Sequence, residues 1–319
     1  MATPKTTIVF PGQGTQRAGM GKDFHSWAPA AREVYAEASQ ALSLDLCGLC
    51  FGDDERLGLT ELAQPAILAT EIAMLRAVEA ELGLSASTYG GHSLGEYTAL
   101  VASGALPLAT AVRLVRERGR LMQEAVPLGR GGMIAVVGDV GAELDAAVIA
   151  RTLDGLAVAI ANDNAVSQLV LSGLSTDLPR ARLRIEALPG HERVRFVDLP
   201  VSAPFHSPLM AGIAPAFESL LDSARSVLEP AAAVDVTCNY TGAFHDADAD
   251  AIVDRLVRQI AGTVRWRDNM AAIARRGGRV IEIGPGRPLR GFLKTVGIDA
   301  ATITDVRSAT RVATAELAR

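Results

Sequence analysis

The 319-residue chain has three cysteines, five histidines and only 4% aromatic residues. Cys47, Cys50 and Cys238 are too few for a disulfide framework in a chain of this size. Cys47 and Cys50 have C-x-x-C spacing, but a zinc site needs two further ligands. One other cysteine exists, and no two histidines stand at the short spacing that a metal site uses. The expectation is therefore no metal and no redox cofactor, with both cysteines serving as small apolar groups beside Leu46, Leu49 and Phe51. No uncharged apolar stretch reaches the roughly 18 residues of a membrane span, and the apolar run before Pro11 is too short for a secretory signal. A cytoplasmic protein with no membrane contact is expected. Excess positive charge is also missing: the net charge is −5 and the isoelectric point about 5.6. General attraction to nucleic acid is excluded, although a local basic patch still suits one acidic partner.

What is present is an alternation of amphipathic helix-length stretches with short apolar runs, the mark of an α/β protein. TTIVF at 6–10 reads as a strand. The stretch 64–82 reads as a helix starting at Pro65 and closing at Gly83, and RVIEIG at 279–284 as a strand entering a Gly-Pro-Gly loop. Between 132 and 198 the rhythm changes. Strands are expected at 133–138, 156–162, 168–173 and 193–199, and helices at 142–153 and 175–188. That order, βαββαβ, is the ferredoxin-like arrangement. The expected organisation is a large subdomain, 1–130 and 200–319, with a small ferredoxin-like subdomain at 131–199 inserted into it.

Gly91-His92-Ser93-Leu94-Gly95 fits G-x-S-x-G, in which a strained strand-to-helix turn lifts a nucleophilic serine clear of a sheet. A strand through Thr88 and Tyr89 precedes it and the helical pattern EYTALVASGAL follows. A side chain at either glycine would collide with neighbouring backbone in so tight a turn. Ser93 and Glu96 also fit a capping box, S-x-x-E, so the serine is a nucleophile or a helix cap. Its base must come from His25, His92, His191, His206 or His245. His206 lies in VSAPFHSPLM at the junction of the two subdomains, as a catalytic base or as an exposed loop residue. His92 suits the wall of the elbow, because adjacent residues on a tight turn point apart. If the helix after Ser93 and one starting at Pro107 form an antiparallel hairpin, each travels roughly 15 Å at about 1.5 Å per residue. Arg118 then returns to the level of Ser93, as a fork for a substrate carboxylate. Otherwise it is one more solvated helix charge beside Arg113, Arg116, Glu117 and Arg120.

FPGQGTQ, GHSLGEYTALVASGAL, RERGRLMQEA, ANDNAVSQLVLSG, VSAPFHSPLM, RQIAGTVRW and EIGPGRPL stand in this order from about residue 7 to 296. Together they resemble the malonyl-CoA:acyl carrier protein transacylases and the free-standing acyltransferases that serve modular polyketide synthases. The resemblance implies an α/β-hydrolase-like core with a parallel sheet and a ferredoxin-like insertion. It implies Ser93 as the acylated nucleophile, His206 as its base with no acidic third member, and Gln259 orienting the imidazole through its backbone carbonyl. Arg118 would pair with the malonyl carboxylate, and Gln13 and Leu94 would offer backbone N–H groups as an oxyanion hole. Asn162 and His92 would line the pocket. Phe205 before the histidine and Leu94 after the serine accompany malonyl over methylmalonyl preference in the family. The substrates implied are malonyl-CoA and an acyl carrier protein, which brings its own phosphopantetheine; a monomer is expected.

Two further expectations concern the partner and the reaction. Carrier proteins are usually acidic, and Arg287, Arg290 and Lys294 recur at a spacing that shares one helical face, as a docking rim or as a plain solvated face. The alternative activity is an acyl hydrolase that clears carrier proteins, for which an arginine aimed at a carboxylate has little use. A lipase-like esterase would need an acidic residue between Ser93 and His206, and none stands out.

Overall fold

The computed structural model describes residues 5–139, 143–190, 193–201 and 203–317. Eight strands are found among them: β1 (Thr6–Phe10), β2 (Thr88–Gly91), β3 (Gly131–Val137), β4 (Val158–Ala165), β5 (Gln168–Leu174), β6 (Arg195–Asp198), β7 (Arg279–Ile283) and β8 (Ala301–Ile303). They form two sheets, ordered β2-β1-β7-β8 and β4-β5-β3-β6. The first is parallel throughout. Its central β1 is buried along its whole length, which is why TTIVF is β-branched or apolar throughout and shows no apolar-polar alternation. The ends of β1, β2 and β7 open onto Gly12-Gln13-Gly14, His92-Ser93 and Gly284-Pro285-Gly286. Ligands of parallel sheets bind at this carboxyl edge.

The helix Thr60–Leu82 carries buried residues on nearly every side and is the centre of the large core. It starts one turn earlier than the sequence suggests and runs through Pro65. The proline withdraws one backbone hydrogen bond, and tertiary packing holds the extra turn in place. The helix Leu108–Glu124 lies against that turn so closely that a Cβ on Gly119 would sit 2.6 Å from the Thr60 carbonyl oxygen.

The second sheet is antiparallel, and its strands with the helices Ala146–Thr152 and Leu178–Glu186 follow the expected βαββαβ order. The first of these helices is shorter than expected, because Asp145 caps it by accepting the N–H groups of Ala147 and Val148. The start expected at residue 142 lies outside the described residues. Ile134, Val136, Leu169 and Leu171 alternate onto the helix-covered face and pack with Ile149 and Ile185 in a separate core. Met133, Ala135, Gln168 and Val170 therefore face the other way, toward the elbow. In β4 a bulge falls between Ile160 and Asn162. Ile160 pairs with Leu171, but Asn162 pairs with Val170, so the extra residue turns Asn162 to the elbow side.

Candidate active site

β2 ends at Gly91 and the following helix, Leu94–Ala102, starts at Leu94, so His92 and Ser93 alone make the turn. Ser93 has φ 54° and ψ −100°, a conformation that non-glycine residues keep only where surroundings enforce it. Here they do. The Ser93 N–H donates to Asn239 Oδ1 at 2.6 Å, and Asn239 Nδ2 donates to the Gly91 carbonyl at 2.8 Å. A Cβ on Gly91 would lie 2.0 Å from the Gly95 carbonyl carbon, and one on Gly95 would lie 2.2 Å from the Phe10 carbonyl oxygen. Both glycines are thus required by close backbone approach. The capping-box reading fails: the Ser93 side chain makes no cap hydrogen bond, and the Glu96 carboxylate turns to Asn239, Gln259 and His245.

His206 is 4% exposed, so the exposed-loop reading fails as well. Its Nε2 lies 2.7 Å from Ser93 Oγ and its Nδ1 lies 2.8 Å from the Gln259 carbonyl oxygen. A carbonyl can only accept, so Nδ1 carries the proton and Nε2 presents a lone pair to the serine hydroxyl. Burial first and the Arg118 guanidinium second hold the imidazole pKa down to about 3, against the opposing pull of the Gln259 hydrogen bond. The ring is neutral at neutral pH and free to take a proton.

Arg118 is 1% exposed and is not a solvated helix charge. The hairpin of Leu94–Ala102 and Leu108–Glu124 returns it to Ser93: NH2 donates to Ser93 Oγ at 3.1 Å and to Gln259 Oε1 at 2.9 Å. NH1 donates to Gln64 Oε1 at 2.8 Å, and the guanidinium stands 5.4 Å from the Tyr97 ring centroid. Among the described residues no carboxylate forms an ion pair with it, so its acceptors are neutral amide oxygens and a hydroxyl. Sequence reasoning missed Gln64 and Asn239. The only sign of Gln64 was a lone amide in an otherwise apolar helical stretch, and nothing near Asn239 set it apart.

Ser93, His206, Arg118 and Gln64 line a cavity of about 310 Å³ between the two sheets, with Gln13, His92, Leu94, Asn162 and Phe205 in its wall. The backbone N–H groups of Gln13 and Leu94 make no hydrogen bond among the described residues. His92 Nε2 is 2.7 Å from Asn164 Oδ1, its ring packs edge-on to Trp266, and burial lowers its pKa. Pro288 reaches the same cavity. The basic group behind it differs from expectation. The helix spans Leu289–Thr295, so Arg290 and Lys294 share it, but Arg287 precedes its cap and lies off that face. Arg290 is also ion-paired to Asp299 at 3.5 Å. The start of this helix is fixed by buried Glu282, which accepts the N–H groups of Leu289 and Arg290. Among the other histidines, His25 packs on Tyr35 and Phe51 away from the cavity, His245 pairs with Glu96, and His191 lies outside the described residues. Glu96, Cys238 and His245 bring ligand-type atoms within 4.8 Å of one another, a grouping no sequence spacing suggested. Both Glu96 oxygens are already engaged, Oε1 by His245 and Oε2 by Asn239 and Gln259. Cys47 and Cys50 are free thiols, and burial pushes Cys50 up to about 12.

Residues 7–299 match the acyl transferase domain family. The malonyl CoA-acyl carrier protein transacylase of Bacillus subtilis (strain 168) is 39% identical, across 94% of this chain and 92% of its own. That of Escherichia coli (strain K12) is 37% identical across 97% of both. Of solved structures, the transacylase of that name from Clostridium perfringens superposes with a TM-score of 0.87 at 33% identity, covering 98% of this chain and 97% of that one. A malonyl-transacylase in complex with its type II polyketide synthase acyl-carrier protein gives 0.86 at 34% identity, covering 98% and 99%. With the elbow serine, the histidine beside it and a match across nearly its full length, the chain belongs to the acyl transferase family, among the malonyl CoA-acyl carrier protein transacylases.

Proposed function

We propose that this protein moves a malonyl group from malonyl-CoA to the phosphopantetheine thiol of an acyl carrier protein, in fatty-acid or polyketide synthesis, through a malonyl ester of Ser93. One observation carries the reading: a buried guanidinium, ion-paired to no carboxylate among the described residues, donates to the hydroxyl that also meets a neutral imidazole. Ser93 Oγ attacks the thioester carbonyl as His206 Nε2 takes its proton, and CoA leaves with that proton returned to its sulfur. The carrier thiol then attacks the ester with His206 as base, and Ser93 leaves as the alcohol. Gln13 and Leu94 supply the N–H groups for the oxyanion, and the Gln259 carbonyl holds the imidazole. A thioester is already an activated acyl donor, so the chemistry requires no metal or redox cofactor.

Arg118 pairs with the malonyl carboxylate. Before substrate arrives, Gln64 Oε1 and Gln259 Oε1 stand in as neutral acceptors, and a carboxylate outcompetes an amide oxygen for a guanidinium. Phe205 and Leu94 limit room for a branched acyl chain, while His92 and Asn162 complete the wall. We take residues 131–199 as a small subdomain closing over the site, and the protein as a cytoplasmic monomer. No helix among the described residues is long and apolar enough to cross a membrane.

The test is incubation with radiolabelled malonyl-CoA, denaturation and counting. A transferase keeps label on the protein until carrier protein is added; a hydrolase releases it to water. Ser93→Ala should take up none, and label on that variant would overturn the proposed route.

A further inference from the structure

The resemblance supplied no acidic partner for the Ser93–His206 pair, but a buried carboxylate stands one residue behind it. Glu96 lies one helical turn after Ser93 and is fully buried. Its Oε2 accepts the side chain of Gln259 at 2.6 Å and the backbone N–H of Asn239 at 3.0 Å, and its Oε1 lies 2.9 Å from His245 Nε2. Two of these contacts lead back to the reacting atoms. Asn239 holds the Ser93 N–H, and Gln259 holds both His206 and Arg118.

Gln259 is the junction. Its side-chain amide has two ends with opposite demands, and only one orientation satisfies both neighbours. A carboxylate accepts and never donates, so Glu96 requires the NH₂ end; a guanidinium donates and never accepts, so Arg118 requires the oxygen. The same residue gives its backbone oxygen to His206 Nδ1 at 2.8 Å. We propose that Glu96 is a positioning residue, whose carboxylate locks the Gln259 amide so that Arg118 and His206 are aimed together. The inference rests on the transferase reading above, because it assigns Arg118 to the acyl carboxylate. Gln259 Nε2 also donates to the Ser93 carbonyl, but at 3.2 Å and to a neutral oxygen. Without the Glu96 carboxylate the amide keeps only that weaker acceptor, so its oxygen is held less firmly on Arg118 and the fork that selects a carboxylated acyl group is loosened.

The experiment compares acylation of Ser93 by labelled malonyl-CoA and labelled acetyl-CoA in the full chain, for Glu96→Gln, Gln259→Met and the double variant. Glu96→Gln keeps the shape and one acceptor oxygen but loses the charge-assisted bond, so malonyl loading should fall about tenfold. The malonyl-to-acetyl ratio should fall with it, since acetyl makes no use of the fork. In the Gln259→Met background, Glu96→Gln should change the malonyl-to-acetyl ratio by no more than about twofold, because the link to Arg118 is already cut and any loss through Asn239 and the Ser93 N–H falls on both donors alike. An equal loss for both acyl donors, or the same factor in both backgrounds, would show that Glu96 only supports the fold and would overturn the proposal. If Glu96→Gln fails to fold, Glu96→Asp withdraws the carboxylate by one methylene with the same expectations. Failure of the unmodified protein to load malonyl would instead sink the transferase reading itself.

Discussion

Removing the guanidinium of Arg118 tests selection most directly. In Arg118→Ala the Gln64 and Gln259 amide oxygens lose their donors, and a malonyl carboxylate entering the cavity meets two acceptors and no cation. Leaving one member of a buried charged pair without the other costs about 2–5 kcal/mol. At about 1.4 kcal/mol per decade, kcat/KM for malonyl-CoA should drop roughly 30-fold to 5,000-fold. Acetyl-CoA has no carboxylate to lose, and suffers only from the missing bond between Arg118 and Ser93 Oγ, worth about 1 kcal/mol or roughly fivefold. The malonyl-to-acetyl preference should therefore narrow by about one to three orders of magnitude, almost wholly through lost malonyl activity. Arg118→Lys should fall between, because an ammonium on a flexible stem cannot reproduce the fork that serves Gln64 and Gln259 at once. The assay is single-turnover loading of Ser93 with each labelled ester, read by intact-protein mass, alongside thermal unfolding to establish that the variant is folded. A folded Arg118→Ala that loses both activities in equal proportion would refute the assignment, and would leave Arg118 only polarising the nucleophile.

Three further outcomes are expected. Phe205→Ser should raise methylmalonyl transfer relative to malonyl by about tenfold or more, since one methyl misfit is worth roughly 1–3 kcal/mol; a competition assay with an unchanged product ratio would make Phe205 a loop support. His206, held down to about 3, is neutral above that value and competent as a base. Serine acylation should thus stay flat from about pH 8 to about pH 5 and decline only below, whereas an acid limb centred at the ordinary 6.5 would show that burial does not govern it. Charge reversal at Arg287 should raise KM for the carrier protein about threefold or more and leave malonyl-CoA unaffected, because Arg287 is exposed beside the cavity-lining Pro288. Reversal at Arg290, already paired to Asp299, should do less, and equal effects of Arg287 on both substrates would remove it from the docking surface.

The elbow was legible in the sequence because its requirement is local. Gly91 and Gly95 are forced by backbone atoms four residues apart or on the adjoining β1, and no other residue type fits there. The strands and the βαββαβ order were likewise written in the apolar pattern of consecutive residues, and what moved were element ends: the long helix starts at Thr60 rather than Pro65, and the strand expected at 156–162 is Val158–Ala165. Where a polar side chain ends up was another matter. Arg118 has the local look of a solvated charge, and its burial depends on a hairpin that brings it to partners 54 and 141 positions away. Glu96 fits a cap by spacing, yet its carboxylate is claimed by Asn239, His245 and Gln259, the last of them 163 positions distant. Asn162 reaches the cavity because a single bulge reverses the face of its strand, and Arg287 leaves the helical face of Lys294 because Glu282 starts that helix two residues later. Backbone geometry is set by neighbours in sequence. The partner of a buried polar group is set by every turn between the two residues, and only the folded chain adds those turns together.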